Sequence, residues 1–102
     1  MEYNLKTGPG GTEIVLSGRL TFDAHAKCRA LIEELDKMES GRRVIDLKGV
    51  DFIDSSGLGL ILRIAESSKA GGCSVALRAP SDGQVAQLMK VAKFGELVPF
   101  EA

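Results

Sequence analysis

The sequence predicts an α/β domain in which a small mixed β-sheet has helices packed around it. Short segments rich in Val and Ile alternate along the chain with segments whose apolar residues recur at helical spacing. Glycine-containing turn sequences separate these segments. The 102 residues are 44 % hydrophobic and 26 % charged, which is an ordinary globular composition. We therefore expect one domain over residues 1–102, in the order strand, strand, helix, strand, helix, strand, helix.

The first predicted elements are a hairpin and a helix. Residues 3–7 and 12–17 have strand composition and flank the turn sequence Gly-Pro-Gly-Gly. Thr21 or Asp23 can then cap a helix by accepting from its first free backbone N–H groups. This helix has one apolar stripe, which consists of Ala24, Cys28, Leu31, Leu35 and Met38.

The middle of the chain predicts a buried strand and a second helix. Residues 44–47, Val-Ile-Asp-Leu, are nearly all apolar, which is typical of an interior strand covered on both faces. Residues 50–53 then lead into a helix that ends near Gly71 and Gly72.

The last part of the chain predicts a strand, a third helix and a short final strand. Residues 74–78 alternate in polarity and indicate a strand. Ser81 and Gln84 have the spacing of a capping box, which predicts a helix start. The core stripe of this helix consists of Val85, Leu88, Met89 and Ala92, and the final strand is expected near Val98.

Composition disfavours several classes of function. Lys and Arg number 13 against 14 Asp and Glu, so no basic field favours nucleic acid or anionic lipid. Cys28 and Cys73 lie far apart without CxxC spacing, which indicates buried thiols rather than a zinc site or redox pair. No apolar run approaches the roughly 20 residues of a membrane span, and no signal peptide pattern is present. We expect a cytoplasmic protein without metal, cofactor, membrane or nucleic-acid partner.

Residues 51–60, DFIDSSGLGL, carry the most distinctive pattern in the chain. An Asp or Ser at the start of a helix is commonly an N-cap. A catalytic serine is disfavoured, because the G-x-S-x-G elbow is absent and His25 is the one histidine available as a base. A metal site through Asp46, Asp51 and Asp54 is disfavoured too, since strand residues alternate in direction. In the third interpretation a serine is modified, because a helix N-terminus can hold a phosphate.

The helix after the serines has apolar residues on two sides. Leu58, Ile61, Leu62 and Ala65 form the stripe expected to face the sheet. Leu60 and Ile64 lie on nearly the opposite side. Either a neighbouring helix covers this pair or the pair forms an exposed apolar patch that marks a partner site.

The whole chain resembles a stand-alone STAS domain of the bacterial anti-sigma factor antagonist type. The resemblance is carried by residues 16–20, LSGRL, by residues 44–47, VIDL, and above all by residues 52–59, FIDSSGLG. It implies a small mixed sheet with helices around it and a protein that acts by binding, without catalysis. In the family, the unphosphorylated form binds an anti-sigma factor that is also a serine kinase, which frees the sigma factor for transcription. The kinase then phosphorylates the serine after the Asp and ends the interaction, and a phosphatase restores it.

Carried onto this sequence, the resemblance implies phosphorylation at Ser55, with Ser56 as second choice. Asp54, Ser56, Gly57 and Leu58 are then the surroundings of the acceptor. The family commonly has an acid immediately after the Gly-x-Leu near the first helix. This chain has Thr21 at that position, and Asp23 follows two residues later. That loop contacts the partner kinase in the family.

We therefore predict a partner-switching protein. Its predicted partner-binding residues are Thr21, Asp23, Leu60 and Ile64, its partners are an anti-sigma factor/serine kinase and a serine phosphatase, and no obligate homo-oligomer is expected. The alternative is a STAS subunit of another assembly or signalling switch, for biofilm or second-messenger control, in which Ser55 is only a helix cap. A small enzyme or nucleotide-binding domain is disfavoured, because a phosphate loop, a catalytic base and a metal cluster are all lacking in the sequence.

Overall fold

The computed structural model describes residues 1–101 and contains a four-stranded mixed sheet in the order β1-β2-β3-β4. Strands β1 (Glu2–Gly8) and β2 (Gly11–Leu20) form an antiparallel hairpin. Strand β3 (Arg42–Ile53) lies parallel to β2, and β4 (Ser74–Arg78) lies parallel to β3. The predicted hairpin and the predicted mixed sheet are both confirmed.

Three α-helices follow the strands in the predicted order. Helix α1 (His25–Asp36) comes after a 3₁₀ turn, α2 (Ser55–Ala70) joins β3 to β4, and α3 (Gly83–Val91) follows β4. A second 3₁₀ turn, Phe94–Glu96, lies beyond α3. The predicted α/β fold class is confirmed. No helix among residues 1–101 is long and apolar enough to cross a membrane.

The hydrophobic core lies between the sheet and the helices. Its largest fully buried side chains come from strands β2, β3 and β4 and from helices α1 and α2. They are Ile14, Leu16, Leu20, Leu31, Leu35, Ile45, Leu47, Ile53, Leu60, Ile61, Ile64 and Leu77. Cys28 and Cys73 are buried free thiols, as predicted, and burial raises the pKa of Cys28. A buried arginine, Arg43, donates to the Ser68 hydroxyl at 3.0 Å and to the Leu35 carbonyl at 2.9 Å. The sheet is thereby bonded to the last turns of α1 and α2.

Residues 44–47 and 50–53, read from the sequence as separate segments, belong to one strand. Between paired positions Val15/Asp46 and Ser17/Gly49, β3 contains one residue more than β2. A β-bulge of this kind absorbs an extra residue without ending the strand.

Two predictions about the C-terminal third are wrong. The chain near Val98 forms no strand, and the single bridge there joins Leu77 to Phe100. Helix α3 begins at Gly83 with Asp82 in the N-cap position, and no side chain caps it. The side chain of Gln84 bonds to the backbone of Ile53 instead, so the capping box does not form.

Candidate functional site

The residues of the predicted serine site lie where the two chain segments after β2 and β3 meet. Leu20 and Ile53, the last residues of these parallel strands, are paired. Because the carboxyl ends of parallel strands meet at one edge of a sheet, residues 21–23 and 54–55 leave the sheet side by side. The Asp54 backbone N–H donates to the Leu20 carbonyl at 3.4 Å, which ties the two segments together.

Gly57 allows α2 to approach the end of β2 closely. A Cβ at this position would lie 2.1 Å from the Leu20 carbonyl oxygen, which is far inside contact distance. Gly57 is buried, so this close approach lies inside the fold and does not open the surface to a partner. Gly59 is exposed, and a Cβ there would meet no atom within 4 Å. Of the two glycines, Gly59 is the one that leaves the surface open.

Asp54 is the N-cap of α2. Its backbone is extended, with φ −112° and ψ −175°, and its carboxylate accepts from the Gly57 N–H at 2.9 Å. Its carbonyl accepts from the Leu58 N–H at 3.1 Å, which closes the first helical turn. Ser55 is the first residue of the helix, so of the two predicted capping residue types, Asp or Ser, the aspartate is the cap, and Ser55 does not have the capping role that the alternative function gave it. The reason is geometric, because the cap bond comes from the residue whose backbone is still extended.

The two serines differ in accessibility. Ser55 is exposed, whereas Ser56 is half-buried. Leu58 is also half-buried and lies in the same first turn. The exposed hydroxyl thus belongs to the residue directly after the capping carboxylate.

The segment after β2 places Thr21 and Asp23 beside this helix start. The Thr21 hydroxyl donates to the Asp23 carboxylate, and this bond lowers the pKa of Asp23. Asp23 is exposed and Thr21 is half-buried. Neither side chain caps the following turn or α1, so the predicted capping role of these residues is wrong. The Thr21 hydroxyl instead forms a hydrogen bond with the Asp23 carboxylate.

Phe22 lies within the segment from Thr21 to Asp23 that was predicted to bind a partner, although the sequence did not single out its side chain. Its side chain is 72 % exposed between Thr21 and Asp23, and its ring meets the His25 ring edge-to-face at 5.4 Å. Nearby along β2 and β3, the Arg19 guanidinium lies 4.5 Å from the centre of the Phe52 ring. The available signal was that Phe22 falls outside the apolar stripe of α1, so the core does not account for it.

Leu60 and Ile64 do not form a surface patch. They are 1 % and 0 % exposed, and α1 packs against α2 on this side. The Cys28 thiol of α1 lies 3.9 Å from the Leu60 carbonyl, as a weak donor. Their predicted role as exposed partner-binding residues is therefore wrong, and the covering helix is the reason.

The buried face of α2 is rotated from the predicted one. It consists of Gly57, Leu60, Ile61, Ile64, Ala65 and Ser68. Leu58 and Leu62, which were assigned to the core, are half-buried. The apolar side chain of α2 that can reach a partner beside Ser55 is therefore Leu58.

Residues 1–101 contain no group of three His, Cys, Asp or Glu side chains that could hold a metal ion. Asp46, one of the acids considered for such a site, accepts from the Lys48 N–H at 2.9 Å and faces Arg78 at 3.4 Å. His25 is exposed. These groups have structural partners or solvent around them.

The fold agrees with that of known proteins. The family model described as Mlab, STAS domain matches residues 4–99, so the chain belongs to the STAS domain family. A STAS-domain containing protein of Pseudomonas aeruginosa (strain UCBPP-PA14) is 27 % identical over 84 residues, which cover 82 % of this chain and 81 % of that protein.

Solved structures of the same fold include the anti-sigma factor antagonist SpoIIAA in its unphosphorylated form. It is 25 % identical with a TM-score of 0.66, and the match covers 99 % of this chain and 89 % of that one. The phosphorylated form of the Bacillus cell fate determinant SpoIIAA matches at 25 % identity with a TM-score of 0.65, over 94 % of this chain and 85 % of that one. The protein TM1081 of Thermotoga maritima has a TM-score of 0.77 at 21 % identity, over 99 % of this chain and 81 % of that one, and shares the fold.

Proposed function

We propose that this chain is a partner-switching protein like the anti-sigma factor antagonists. Its unphosphorylated form binds an anti-sigma factor that is also a serine kinase, and phosphorylation of Ser55 blocks this binding. The observation that carries the proposal is the exposed Ser55 at the start of α2, directly after the capping Asp54 and beside residues 21–23. The likeness to SpoIIAA, known in an unphosphorylated and a phosphorylated form, supports it.

A phosphate on Ser55 would change the charge of this surface strongly. It adds about −1.5 to −2 charges at neutral pH. The N-terminus of α2 attracts that charge, since its first N–H groups and its dipole point there. The Asp54 carboxylate and the exposed Asp23 carboxylate are also near this helix start. A partner that fits the acidic, unphosphorylated surface therefore meets a denser negative charge after modification, and repulsion and desolvation oppose its binding.

The proposed docking surface consists of Ser55, Thr21, Phe22, Asp23 and Leu58. Phe22 supplies the exposed aromatic group that often dominates the binding energy of an interface. Phe22 thus provides the exposed apolar contact that had been predicted for Leu60 and Ile64, which are buried. The protein itself performs no catalysis in this scheme, because the kinase transfers the phosphate and a separate phosphatase removes it. Both partners and this protein then act in the cytoplasm.

Phosphorylation can be tested by incubating the protein with ATP and a serine kinase of the anti-sigma factor type. One phosphate is expected, and peptide mapping should place it on Ser55. The variant Ser55→Ala should remain unmodified, while the matched control Ser56→Ala should be modified as fast as the original protein. Modification of Ser55→Ala at an unchanged rate would refute the assignment.

The switch can be tested by measuring the affinity of that kinase partner for three variants. Ser55→Asp should weaken binding by more than about 1 kcal/mol, by like-charge and desolvation effects. Ser55→Asn is the control, because an asparagine side chain has nearly the size of an aspartate side chain but no charge. Ser55→Ala should bind the partner as tightly as the unmodified protein does. Equal affinities of Ser55→Asp and Ser55→Asn would contradict a charge-operated switch.

A second candidate is a STAS subunit held in a larger assembly by a different surface. Val91, Leu97 and Phe100 are exposed apolar side chains on α3 and the segment after it. In that case Val91→Lys should disrupt co-purification with the assembly, and Ser55→Asp should leave it intact. The opposite pattern favours the partner switch.

A further inference from the structure

Strand β3 extends well beyond the end of its neighbour β4. The last pair between them is Asp46 with Arg78, so residues 47–53 have no strand beside them on this edge. Backbone N–H and C=O groups on an unpaired edge need other partners. At the start of this stretch, the Asp46 carboxylate accepts from the Lys48 N–H at 2.9 Å.

Gln84 satisfies the other end of the same stretch. Its Oε1 accepts from the Ile53 N–H at 3.0 Å, and its Nε2 donates to the Ile53 carbonyl at 2.7 Å. A carboxamide has a donor and an acceptor in one plane, so it can imitate a peptide group of an adjacent strand. Gly83, with φ +91°, gives the chain the left-handed turn from which Gln84 reaches β3.

The bonds of Gln84 lie directly upstream of the serine. Ile53 is held by α3 through Gln84, and the next N–H, that of Asp54, donates to Leu20 of β2. The Asp54 carboxylate then caps Gly57. The backbone on both sides of Ser55 is therefore fixed from α3, from β2 and by the cap.

We propose that Gln84 is a positioning residue of the Ser55 switch. Its carboxamide holds the end of β3, and with it the turn at Asp54, in the conformation that presents the Ser55 hydroxyl to the kinase. The inference rests on the proposed function and extends the site to the first turn of α3. A displacement of α3 would reach the backbone of Ile53, and the turn at Asp54 next to it, through the two hydrogen bonds of this side chain.

The first test measures how firmly the backbone at Ile53 is held in the isolated protein, without any partner. Gln84→Met keeps the length of the side chain and removes both hydrogen bonds, and Gln87→Met changes an exposed glutamine one turn further along α3 as the control. Amide hydrogen exchange of Ile53 should become about tenfold faster in Gln84→Met, the order expected when a hydrogen bond of ordinary strength is lost. Exchange of core amides that report global unfolding should change less, and Gln87→Met should change neither.

The second test measures phosphorylation of the folded variants by the kinase that modifies Ser55. We expect kcat/KM to fall about tenfold for Gln84→Met, in line with the loosened turn, and to stay unchanged for Gln87→Met. Ile53 exchange equal in both variants, or accelerated only as much as the global amides, would overturn the proposal. An unchanged phosphorylation rate with faster Ile53 exchange would also overturn it. Absence of phosphate in the unmutated protein would refute the proposed function instead, and the exchange data would still report whether Gln84 holds Ile53.

Discussion

Asp54 and Ser55 are adjacent, but they have different tasks at the start of α2. The Asp54 carboxylate accepts from the Gly57 N–H and adds a negative charge at the positive end of the helix dipole. The exposed Ser55 begins the helix, and its hydroxyl is not needed for the cap. A modification of Ser55 can therefore proceed without removing the cap bond that stabilises the helix.

This division of tasks predicts different losses of stability. Asp54→Ala should lower the free energy of unfolding by about 0.5–2 kcal/mol, the usual cost of an N-cap. Ser55→Ala should lower it by less than about 0.5 kcal/mol, as for an exposed residue with few contacts. Urea denaturation at neutral pH measures both, with Asp51→Ala on the exposed side of β3 as the control. A larger loss of unfolding free energy for Ser55→Ala than for Asp54→Ala would mean that Ser55, and not Asp54, caps the helix.

At the scale of the element, the sequence predicted the existence of α2 but not its buried face. Residues 58–65 contain apolar side chains around most of the helix, so two different stripes fit a helical period. The choice between them depends on α1, which packs on the side of Leu60 and Ile64. The same limit applies to the candidate site. The sequence places Phe22 and Leu58 near Ser55, but the exposure of Phe22 and the half-burial of Leu58 depend on how the helices pack.

The burial of α2 gives a prediction that separates the two stripes. Leu60→Ala should lower the free energy of unfolding by about 2–5 kcal/mol, because it leaves a cavity between α1 and α2. Leu62→Ala, on the half-buried side of the same helix, should cost distinctly less. The measurement is equilibrium unfolding in urea, and similar small losses for both variants would mean that Leu60 is a surface residue after all.

At the scale of the whole molecule, the order of elements followed from local patterns, and this explains why the residues of the candidate site could be placed next to one another from the sequence. Parallel pairing of β2 and β3 necessarily brings residues 21–23 and 54–55 to one edge of the sheet. Contacts between residues far apart in the chain carry no local pattern, so the bonds of the Gln84 side chain to the Ile53 backbone were not predictable. The same holds for the bonds that fasten residues 99–101 to β4 in place of the expected final strand.

Glu101 fastens this last segment to the sheet. Its carboxylate accepts from the Arg78 Nε at 2.8 Å and Nη2 at 3.1 Å, and from the Arg42 Nη2 at 2.9 Å. The hydrogen bonds from Arg78 are the main reason that the pKa of Glu101 is lowered from its ordinary value of 4.5. A carboxyl group whose pKa is lower in the folded state stabilises the fold above its unfolded pKa, and this contribution is lost as the pH falls through the folded pKa.

Glu101→Gln should therefore be less stable than the unmutated protein at about pH 7, where the carboxylate is ionised in both states. The difference should shrink as the pH falls below about 4.5 and vanish once the folded carboxyl group is protonated. Urea midpoints of the two proteins across this range measure it, with Glu96→Gln as the control on the preceding 3₁₀ turn. A difference that stays constant with pH would show that the side chain acts through packing or neutral hydrogen bonds, since only the ionised group gains from Arg78 and Arg42 by charge.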